Sequence, residues 1–238
     1  MSKTGFKNGI KDGLPIALGY LSVSFTFGIT AVNMGIPPLT AILISLTNVT
    51  SAGQVAGIGI IASGGGYAEM ALAQLIINLR YALMSLSLSQ KLDSKYNLAH
   101  RFVTAFCVTD EVFAVASGKG CELPARYMYG LMLLPYLFWS GGTAVGALLG
   151  AILPEAVKSA LGIAIYAMFT AIIIPPSKKS RGAAAVVIAA AALSCVIYYV
   201  PVFKFISSGI SVIICAVAAA ALGALLFPRE EKEEQPGE

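Results

Sequence analysis

The stretch Phe102-Val-Thr-Ala-Phe-Cys-Val-Thr-Asp-Glu-Val-Phe-Ala-Val-Ala-Ser-Gly118 places two adjacent carboxylates, Asp110 and Glu111, inside an otherwise apolar segment. A single carboxylate at the centre of a membrane helix costs about 2.5 to 3.5 kcal/mol on insertion scales. Two neighbouring carboxylates at such a depth therefore indicate that they have a partner or a function.

The rest of the chain has the composition of a polytopic membrane protein. Of its residues 57% are hydrophobic and 12% are charged, whereas about 25% of residues are charged in soluble domains. The mean hydropathy is +0.80, and no acidic or basic residue lies between Asp12 and Glu69. Because a span needs about 20 apolar residues, we predict an all-α membrane protein with seven to eight hydrophobic helices and no soluble domain.

Proline, glycine and charged residues divide the apolar runs into candidate helices. The runs lie near residues 13–34, 37–62, 67–90, 101–118, 126–152, 156–175, 182–200 and 204–227. Residues 1–12 are predicted to be a cytoplasmic lead, 13–227 a single transmembrane helical domain, and 228–238 a disordered charged tail.

The distribution of basic residues leaves two topologies open. If all eight segments cross from a cytoplasmic N-terminus, ten Lys and Arg lie inside and five outside, which favours both termini in the cytoplasm. The loop Lys91–Arg101 disagrees, because its three basic residues, Lys91, Lys95 and Arg101, would then face outward. It moves inside if the segments 37–62 and 101–118 both turn back instead of crossing.

Both of those segments have features of a broken or re-entrant helix. Thr47–Gln54 is polar and contains glycine, and 101–118 is short and acidic. Irregular backbone at membrane depth is tolerated only where protein buries it or where it lines a cavity. Such breaks therefore point to a functional site.

Weak similarity between two segments of the chain suggests an inverted repeat. Leu14-Pro15 is followed by a glycine-bearing apolar run, and Leu134-Pro135 is followed by a similar one. Transporters are often built from inverted repeats with a site at the repeat interface.

Asp110 and Glu111, with Thr109 beside them, are the first candidates for a substrate-binding site. On a helix their side chains diverge by about 100°, so one can face a cavity while the other addresses a neighbouring helix. In an apolar setting such a pair suits a proton carrier or a ligand for an ammonium group. The alternative is a pair at a helix end that is hydrated or bound to a basic residue.

Asn78 and Arg80 are the second candidates, in the apolar run Leu75–Ser89. Arginine keeps its proton, so at this depth it needs a carboxylate, a row of carbonyls or a substrate anion. The alternatives are a structural salt bridge to Asp110 or Glu111, and an arginine that snorkels toward the interface.

Two further positions are weaker candidates. Backbone groups near Gly53 and Gln54 would bind the charged ends of a zwitterion if the helix opens there, or the same small residues would only pack helices together. Glu69 follows three glycines, so it either takes part in proton coupling or favours the positive end of its helix.

Several function classes are excluded. The four cysteines show no C-x-x-C spacing, and Gly118-Lys119-Gly120 lacks the other residues of a P-loop. We therefore predict no metal, no cofactor and no enzymatic activity. The net charge of +4 comes from loop residues and reports membrane orientation, not nucleic-acid binding.

At these residues the chain resembles the AzlC family, the large subunit of bacterial branched-chain amino-acid exporters. The motifs occur in the family's order and spacing: Asp12-Gly-Leu-Pro-Ile-Ala-Leu-Gly-Tyr20 with Phe27-Gly28, Ala52-Gly-Gln54, Asn78-Leu-Arg-Tyr81 and Thr109-Asp-Glu111. The chain departs from the family pattern at Leu21–Phe25 and at Thr47–Ser51, which leaves the identity of the substrate open.

The resemblance implies export of a hydrophobic amino acid across the bacterial inner membrane, driven by an ion gradient, in a complex with a small hydrophobic AzlD-type subunit. Our hypothesis is a proton-coupled exporter in which Asp110 and Glu111 share the proton and the substrate ammonium, while Arg80 and Asn78 hold the carboxylate. A passive channel and a non-transporting membrane scaffold are the alternatives.

Overall fold

The computed structural model describes residues 4–152, 180–203 and 205–227, together with single positions at 154, 156, 163, 170, 173, 174, 177 and 178. Over these residues the chain is helical, which confirms the all-α membrane fold. The helices are α1 Phe6–Asn33, α2 Pro38–Thr47, α3 Ser51–Ala62, α4 Tyr67–Ser89, α5 Leu98–Cys107, α6 Asp110–Ser117, α7 Ala125–Leu149, α8 Arg181–Tyr199 and α9 Ser208–Leu226.

Five of the described helices are long and apolar enough to cross a membrane: α1, α4, α7, α8 and α9. Helix α1 begins at Phe6 instead of at residue 13, because the polar residues Lys7, Lys11 and Asp12 continue the helix beyond its apolar run. The predicted helix at 156–175 and the tail 228–238 lie outside the fully described segments.

The two segments with irregular features are each broken into two short helices, as predicted. Helices α2 and α3 are separated by extended backbone from Asn48 to Thr50, and α5 and α6 are separated at Val108 and Thr109. Each break ends at a threonine that caps the following helix: Oγ1 of Thr50 accepts from the amide of Gly53 at 3.1 Å, and Oγ1 of Thr109 from that of Val112 at 3.3 Å.

Three parts of the chain meet at one end of the bundle, which we call the near end. The loop after α4 pairs with the loop before α7, because the amide of Leu123 donates to the carbonyl of Lys91 at 2.9 Å. The second loop also reaches the start of α1, where Nζ of Lys119 lies 2.8 Å from Oδ2 of Asp12. Tyr127 at the start of α7 donates to the same carboxylate at 2.7 Å.

This common end determines which segments cross. Helix α1 leaves the near end and α4 returns to it, so the pair α2–α3 between them begins and ends at the opposite, far end. The pair α5–α6 likewise begins and ends at the near end. With lengths of only roughly 12 to 18 Å at 1.5 Å per residue, the four short helices each reach about halfway across a 30 Å hydrocarbon core. The topology with eight crossings is therefore wrong, and both broken segments are re-entrant hairpins.

The two hairpins enter from opposite ends, each after one long helix. The unit α1 with α2–α3 and the unit α4 with α5–α6 thus have the same order of elements in opposite orientation, which is the arrangement of an inverted repeat. The two Leu-Pro pairs do not correspond to this repeat, because one pair lies in α1 and the other in α7. Those two helices run parallel: Phe6 lies against Gly130, and Phe25 lies against Gly146.

Helices α1 and α7 form the centre of the core. A Cβ atom at Gly130 would overlap the carbonyl of Phe6, and one at Gly146 would overlap that of Phe25. Only glycine therefore permits this backbone contact, which is typical of small-residue packing between membrane helices. The large side chains of Trp139 and Tyr127 are buried beside the seam.

The chain divides into two compact units, Met1–Met168 and Phe169–Glu238, so the prediction of a single domain over 13–227 stays a prediction. In the second unit, α8 and α9 pack side by side, and Gly223 of α9 lies against the side chain of Val186. The candidate residues named above all belong to the first unit.

Candidate functional site

The two adjacent carboxylates begin α6 and point to different helices. Oδ2 of Asp110 lies 2.9 Å from Nη2 of Arg80 on α4. Glu111 instead accepts a hydrogen bond from the hydroxyl of Tyr20 on α1. The divergence of about 100° between successive helical residues produces this division, so one break connects to two long helices through separate charges.

The ion pair between Arg80 and Asp110 is accessible. The two side chains keep 42% and 31% of their surface exposed. The guanidinium of Arg80 also donates to the hydroxyl of Tyr81 at 3.0 Å. Protein therefore encloses neither charged group completely, and each keeps surface that another group can contact.

Tyr20 connects the second break to the core. Its hydroxyl lies 2.6 Å from Oγ1 of Thr109, next to its bond with Glu111. Its ring meets that of Trp139 edge to face, with the centroids 5.3 Å apart. Thr109 and Tyr20 are both buried, so this side of the break is closed.

At the first break, uncharged side chains satisfy the free carbonyls at the end of α2. Nε2 of Gln54 donates to the carbonyls of Ile44 at 3.3 Å and Asn48 at 2.5 Å, and Tyr136 donates to that of Leu46 at 3.0 Å. A helix end leaves such carbonyls without intrahelical partners. Gln54, which is 1% exposed, therefore holds the break in place.

A row of amide groups joins this break to α4. Nε2 of Gln74 donates to the carbonyl of Gly53 at 2.8 Å, and Nδ2 of Asn78 donates to Oε1 of Gln74 at 3.0 Å. Oδ1 of Asn78 is buried and has no hydrogen-bond partner among the described residues. Such an atom is costly unless a water or a ligand binds it.

The two breaks meet at a small cavity beside the middle of α4, which we call the central cavity. Its volume is about 120 Å³. Residues from both hairpins and from α4 line it: Thr47, Asn48, Val49, Thr50, Asn78, Tyr81, Ala105, Phe106 and Val108. The arrangement places broken-helix backbone, an unpartnered amide oxygen and a nearby ion pair at about the depth of a membrane midplane.

The structure brings some of the predicted site residues together and separates others. Asn78 lines the central cavity, and Arg80 and Asp110 form an ion pair that contacts the cavity residue Tyr81. Thr109 and Glu111 face α1. Gly53 and Gln54 line an adjoining cavity of about 190 Å³.

The backbone near Gly53 is less open than predicted. Its amide donates to Oγ1 of Thr50, its carbonyl accepts from Gln74, and the amide of Gln54 donates to the carbonyl of Thr50 at 2.9 Å. Glu69 lies in the first turn of α4, roughly 16 Å along the helix from Arg80. It is therefore separated from the ion pair.

Three neighbours of the site were not selected from the sequence: Tyr20, Tyr81 and Gln74. Tyr20 and Tyr81 end two of the motifs quoted above, and Gln74 precedes Asn78 by one helical turn. A further signal was overlooked, because Val49-Thr-Ser51 and Val108-Thr-Asp110 mark the two breaks 59 residues apart. No group of metal-binding side chains occurs among the described residues.

Comparison with known proteins agrees with this arrangement of motifs. The model of the AzlC protein family matches residues 15–153, which include both hairpins and the long helices around them. No solved structure matches the chain.

Two relatives extend over most of the chain. An "Uncharacterized membrane protein" of Archaeoglobus fulgidus is 36% identical over 71% of this chain and 75% of its own. The "Inner membrane protein YgaZ" of Escherichia coli is 31% identical over 71% of this chain and 72% of its own. The chain is therefore a membrane protein that belongs to the AzlC family.

Proposed function

We propose that the protein is a secondary active exporter of branched-chain or other hydrophobic amino acids. In this proposal, export is coupled to the proton gradient and requires a small hydrophobic AzlD-type subunit. The complex lies in the bacterial inner membrane. The Escherichia coli relative is named as an inner membrane protein, which supports this location.

One observation carries the proposal: two re-entrant hairpins from opposite ends meet at the central cavity, next to the ion pair of Arg80 and Asp110. Broken helices at the midplane are the usual way in which transporters bind small charged substrates. A protein that only needed to span the membrane would not require four helix ends buried at this depth, because each end leaves backbone groups to be satisfied.

The ion pair suits an amino-acid zwitterion. Removing one partner of an ion pair at membrane depth leaves the other charge uncompensated, which is costly. A zwitterion avoids that cost, since its carboxylate replaces Asp110 at the guanidinium of Arg80 while its ammonium group binds Asp110. The free oxygen of Asn78 is a second acceptor for the ammonium group.

Coupling to protons rests on the two adjacent carboxylates. Asp110 addresses the ion pair and Glu111 addresses Tyr20, so a proton on one of them changes the contact of α6 with one long helix. Glu69 is separated from this pair and is not required for the exchange.

The orientation follows from the basic residues at the two ends. Near-end segments contain Lys7, Lys11, Lys91, Lys95, Arg101, Lys119 and Arg126, whereas the far-end loops at 34–37 and 63–66 contain no charged residue. Basic residues favour the cytoplasmic side. The near end is therefore cytoplasmic in our proposal, together with the N-terminus, and we retain the prediction of a cytoplasmic C-terminus.

The test is efflux of leucine from proteoliposomes that contain the chain with its small partner subunit and a pH gradient. Asp110→Asn combined with Glu111→Gln is expected to abolish gradient-driven efflux. Glu122→Gln is the matched control, because Glu122 is an exposed carboxylate in the near-end loop. Efflux by the double variant at the wild-type rate would refute the assignment, and efflux without dependence on the gradient would indicate a passive channel.

A non-transporting scaffold is the second candidate, favoured by the direct contact of Arg80 with Asp110. In that case the ion pair only locks α4 to α6. Asp110→Asn would then lower the melting temperature in detergent, and no amino acid would shift the melting temperature of the wild-type protein.

A further inference from the structure

Three cavities follow one another along α4. The far-end cavity has a volume of about 190 Å³, the central cavity about 120 Å³, and the near-end cavity about 340 Å³. Six of the α4 side chains that line these cavities are spaced three or four residues apart. From the far end to the near end, they are Met70, Gln74, Asn78, Tyr81, Ser85 and Ser89.

These side chains form one face of the helix, since they recur every three or four residues. Five of the six carry a polar group. Five of the six leucines of α4 are 53% to 65% exposed, namely Leu72, Leu75, Leu79, Leu83 and Leu86. Four of these five lie away from the cavities, whereas Leu86 and the buried Leu88 border the near-end cavity. In a membrane, polar side chains favour contact with protein and leucines favour contact with lipid. The polar face of α4 therefore faces protein, and its exposed leucines face lipid.

The cavities adjoin one another. Thr47 and Asn48 line both the far-end and the central cavity, and Ala105 and Val108 line both the central and the near-end cavity. The two walls between cavities are therefore the two hairpin breaks. Along α4 the series extends over 20 residues from Met70 to Ser89, or roughly 30 Å, which is the thickness of a hydrocarbon core.

We propose that this face of α4 is the route by which the substrate crosses the membrane, with the two hairpin breaks as its inner and outer barriers. The inference rests on the proposed function and adds to it a path and a set of pathway residues. The central cavity has space for about four waters at roughly 30 Å³ each. The route is thus narrowest where the breaks meet, and the near-end cavity is the wider of the two chambers.

The chemistry of the near-end cavity fits a hydrophobic amino acid. Six of its ten lining residues have hydrocarbon side chains: Ala82, Leu86, Leu88, Leu92, Ala105 and Val108. Ser85, Ser89 and Arg101 supply polar groups along the same wall. The aliphatic side chain of the substrate can therefore remain out of water while its charged ends move along the polar face of α4.

The route is tested by the reactivity of single cysteines with a membrane-impermeant methanethiosulfonate reagent. The background variant has alanine at the four native cysteines, Cys107, Cys121, Cys195 and Cys215. Into it we introduce Ser85→Cys and Ser89→Cys in the near-end cavity and Gln74→Cys in the far-end cavity. Because Gln74 braces a hairpin, Met70→Cys is a second variant for that cavity. Leu79→Cys and Leu83→Cys on the leucine face are the matched controls.

The pathway cysteines are expected to react about tenfold faster than the leucine-face cysteines or more, because only a hydrated thiol forms the reactive thiolate. Ser85→Cys and Ser89→Cys should react from the side of the near end, and Gln74→Cys or Met70→Cys from the other side. The inference is overturned if the leucine-face cysteines react as fast as the pathway cysteines, or if the pathway cysteines are unreactive in protein that exports leucine.

Measurements on the same protein samples distinguish a failure of the route from a failure of the proposed function. Leucine efflux is measured on each sample before labelling. Reactive pathway cysteines without leucine efflux would contradict the proposed substrate but retain the route, whereas efflux with unreactive pathway cysteines would retain the exporter and reject the route.

Discussion

The hairpins α2–α3 and α5–α6 have the same design but different chemistry. Each has extended backbone at its break and a Val-Thr pair whose threonine caps the second short helix. After the threonine, the far-end hairpin continues with Ser51 and the near-end hairpin with Asp110. The next position is Ala52 in the first and Glu111 in the second, so two positions of the repeat distinguish an uncharged break from a charged one.

That difference determines how each break is held. The far-end break is fixed by the buried amide of Gln54, which binds carbonyls of α2. The near-end break is held by charged groups, with Asp110 bound to Arg80 and Glu111 bound to Tyr20. Uncharged hydrogen bonds between buried groups have no reason to open, whereas an exposed ion pair can exchange with a zwitterion. We infer that the near-end hairpin is the one that responds to substrate.

The largest expected effect tests whether the two hairpins enter the membrane from opposite sides. Each loop is reached by a reagent from one side only, so the difference in labelling is all or none. In the cysteine-free background, Ser94→Cys and Glu122→Cys should be labelled from one side of the membrane and Ser63→Cys from the other. The measurement is labelling by an impermeant maleimide in membrane vesicles of both orientations. Ser94→Cys and Glu122→Cys labelled from opposite sides would restore a topology in which 101–118 crosses.

The next effect separates the corresponding positions of the two breaks. Asp110→Ser gives the near-end break the residue of the far-end break and leaves Arg80 without a counter-charge, so leucine efflux should fall at least about tenfold. Ser51→Ala, the matched change at the other break, should leave efflux within about twofold, since no charge is involved. Equal losses in the two variants would show that the charge does not distinguish the hairpins.

Gln54 is the strongest brace of the far-end break. Gln54→Leu removes a donor from three acceptors, the carbonyls of Ile44 and Asn48 and the hydroxyl of Ser45. One amide nitrogen carries two hydrogens, so at most two of these bonds are complete at once. At about 1 kcal/mol for each net hydrogen bond, the free energy of unfolding should fall by about 2 kcal/mol. Unfolding in detergent measures the loss, and Gln90→Leu at the exposed end of α4 is the control, expected to change little. A wild-type stability for Gln54→Leu would contradict the structural role.

The smallest effect compares the two capping threonines. Thr50→Val should cost about 1 kcal/mol, the usual value of a lost helix cap. Thr109→Val should cost about 2 kcal/mol, because Thr109 also bonds to Tyr20. Both variants are measured by the same unfolding assay, and a larger loss for Thr50→Val would reverse the proposed order of the two breaks.

The sequence predicted most of the helices because apolar length is the dominant signal in a membrane. It also predicted where two helices break, since Thr47–Gln54 and Asp110–Glu111 are too polar for an uninterrupted span. The near-end position of the loop Lys91–Arg101 stayed open, because that loop is placed by its hydrogen bonds with Leu123 and Ser117, which are distant in sequence.

The candidate site was predictable in its charges but not in its pairing. Arg80 and Asp110 were both identified as costly at membrane depth, and a salt bridge between Arg80 and one of the two carboxylates was one of the interpretations. Which carboxylate faces α4 and which faces α1 depends on the direction in which α6 begins, and periodicity does not encode that direction. Gln54 was predicted to hold substrate through an open helix, but its side chain is occupied in closing the end of α2.

The central claim is that the ion pair of Arg80 and Asp110 opens for both charged ends of one amino acid. The most direct measurement is the melting temperature of the purified protein with leucine, with leucine methyl ester and with N-acetyl-leucine. A ligand at about 100 times its dissociation constant stabilises the folded state by about 2.7 kcal/mol. We predict that leucine raises the melting temperature and that the ester and the acetyl derivative, each of which lacks one charge, do not. Equal stabilisation by all three compounds would contradict the claim.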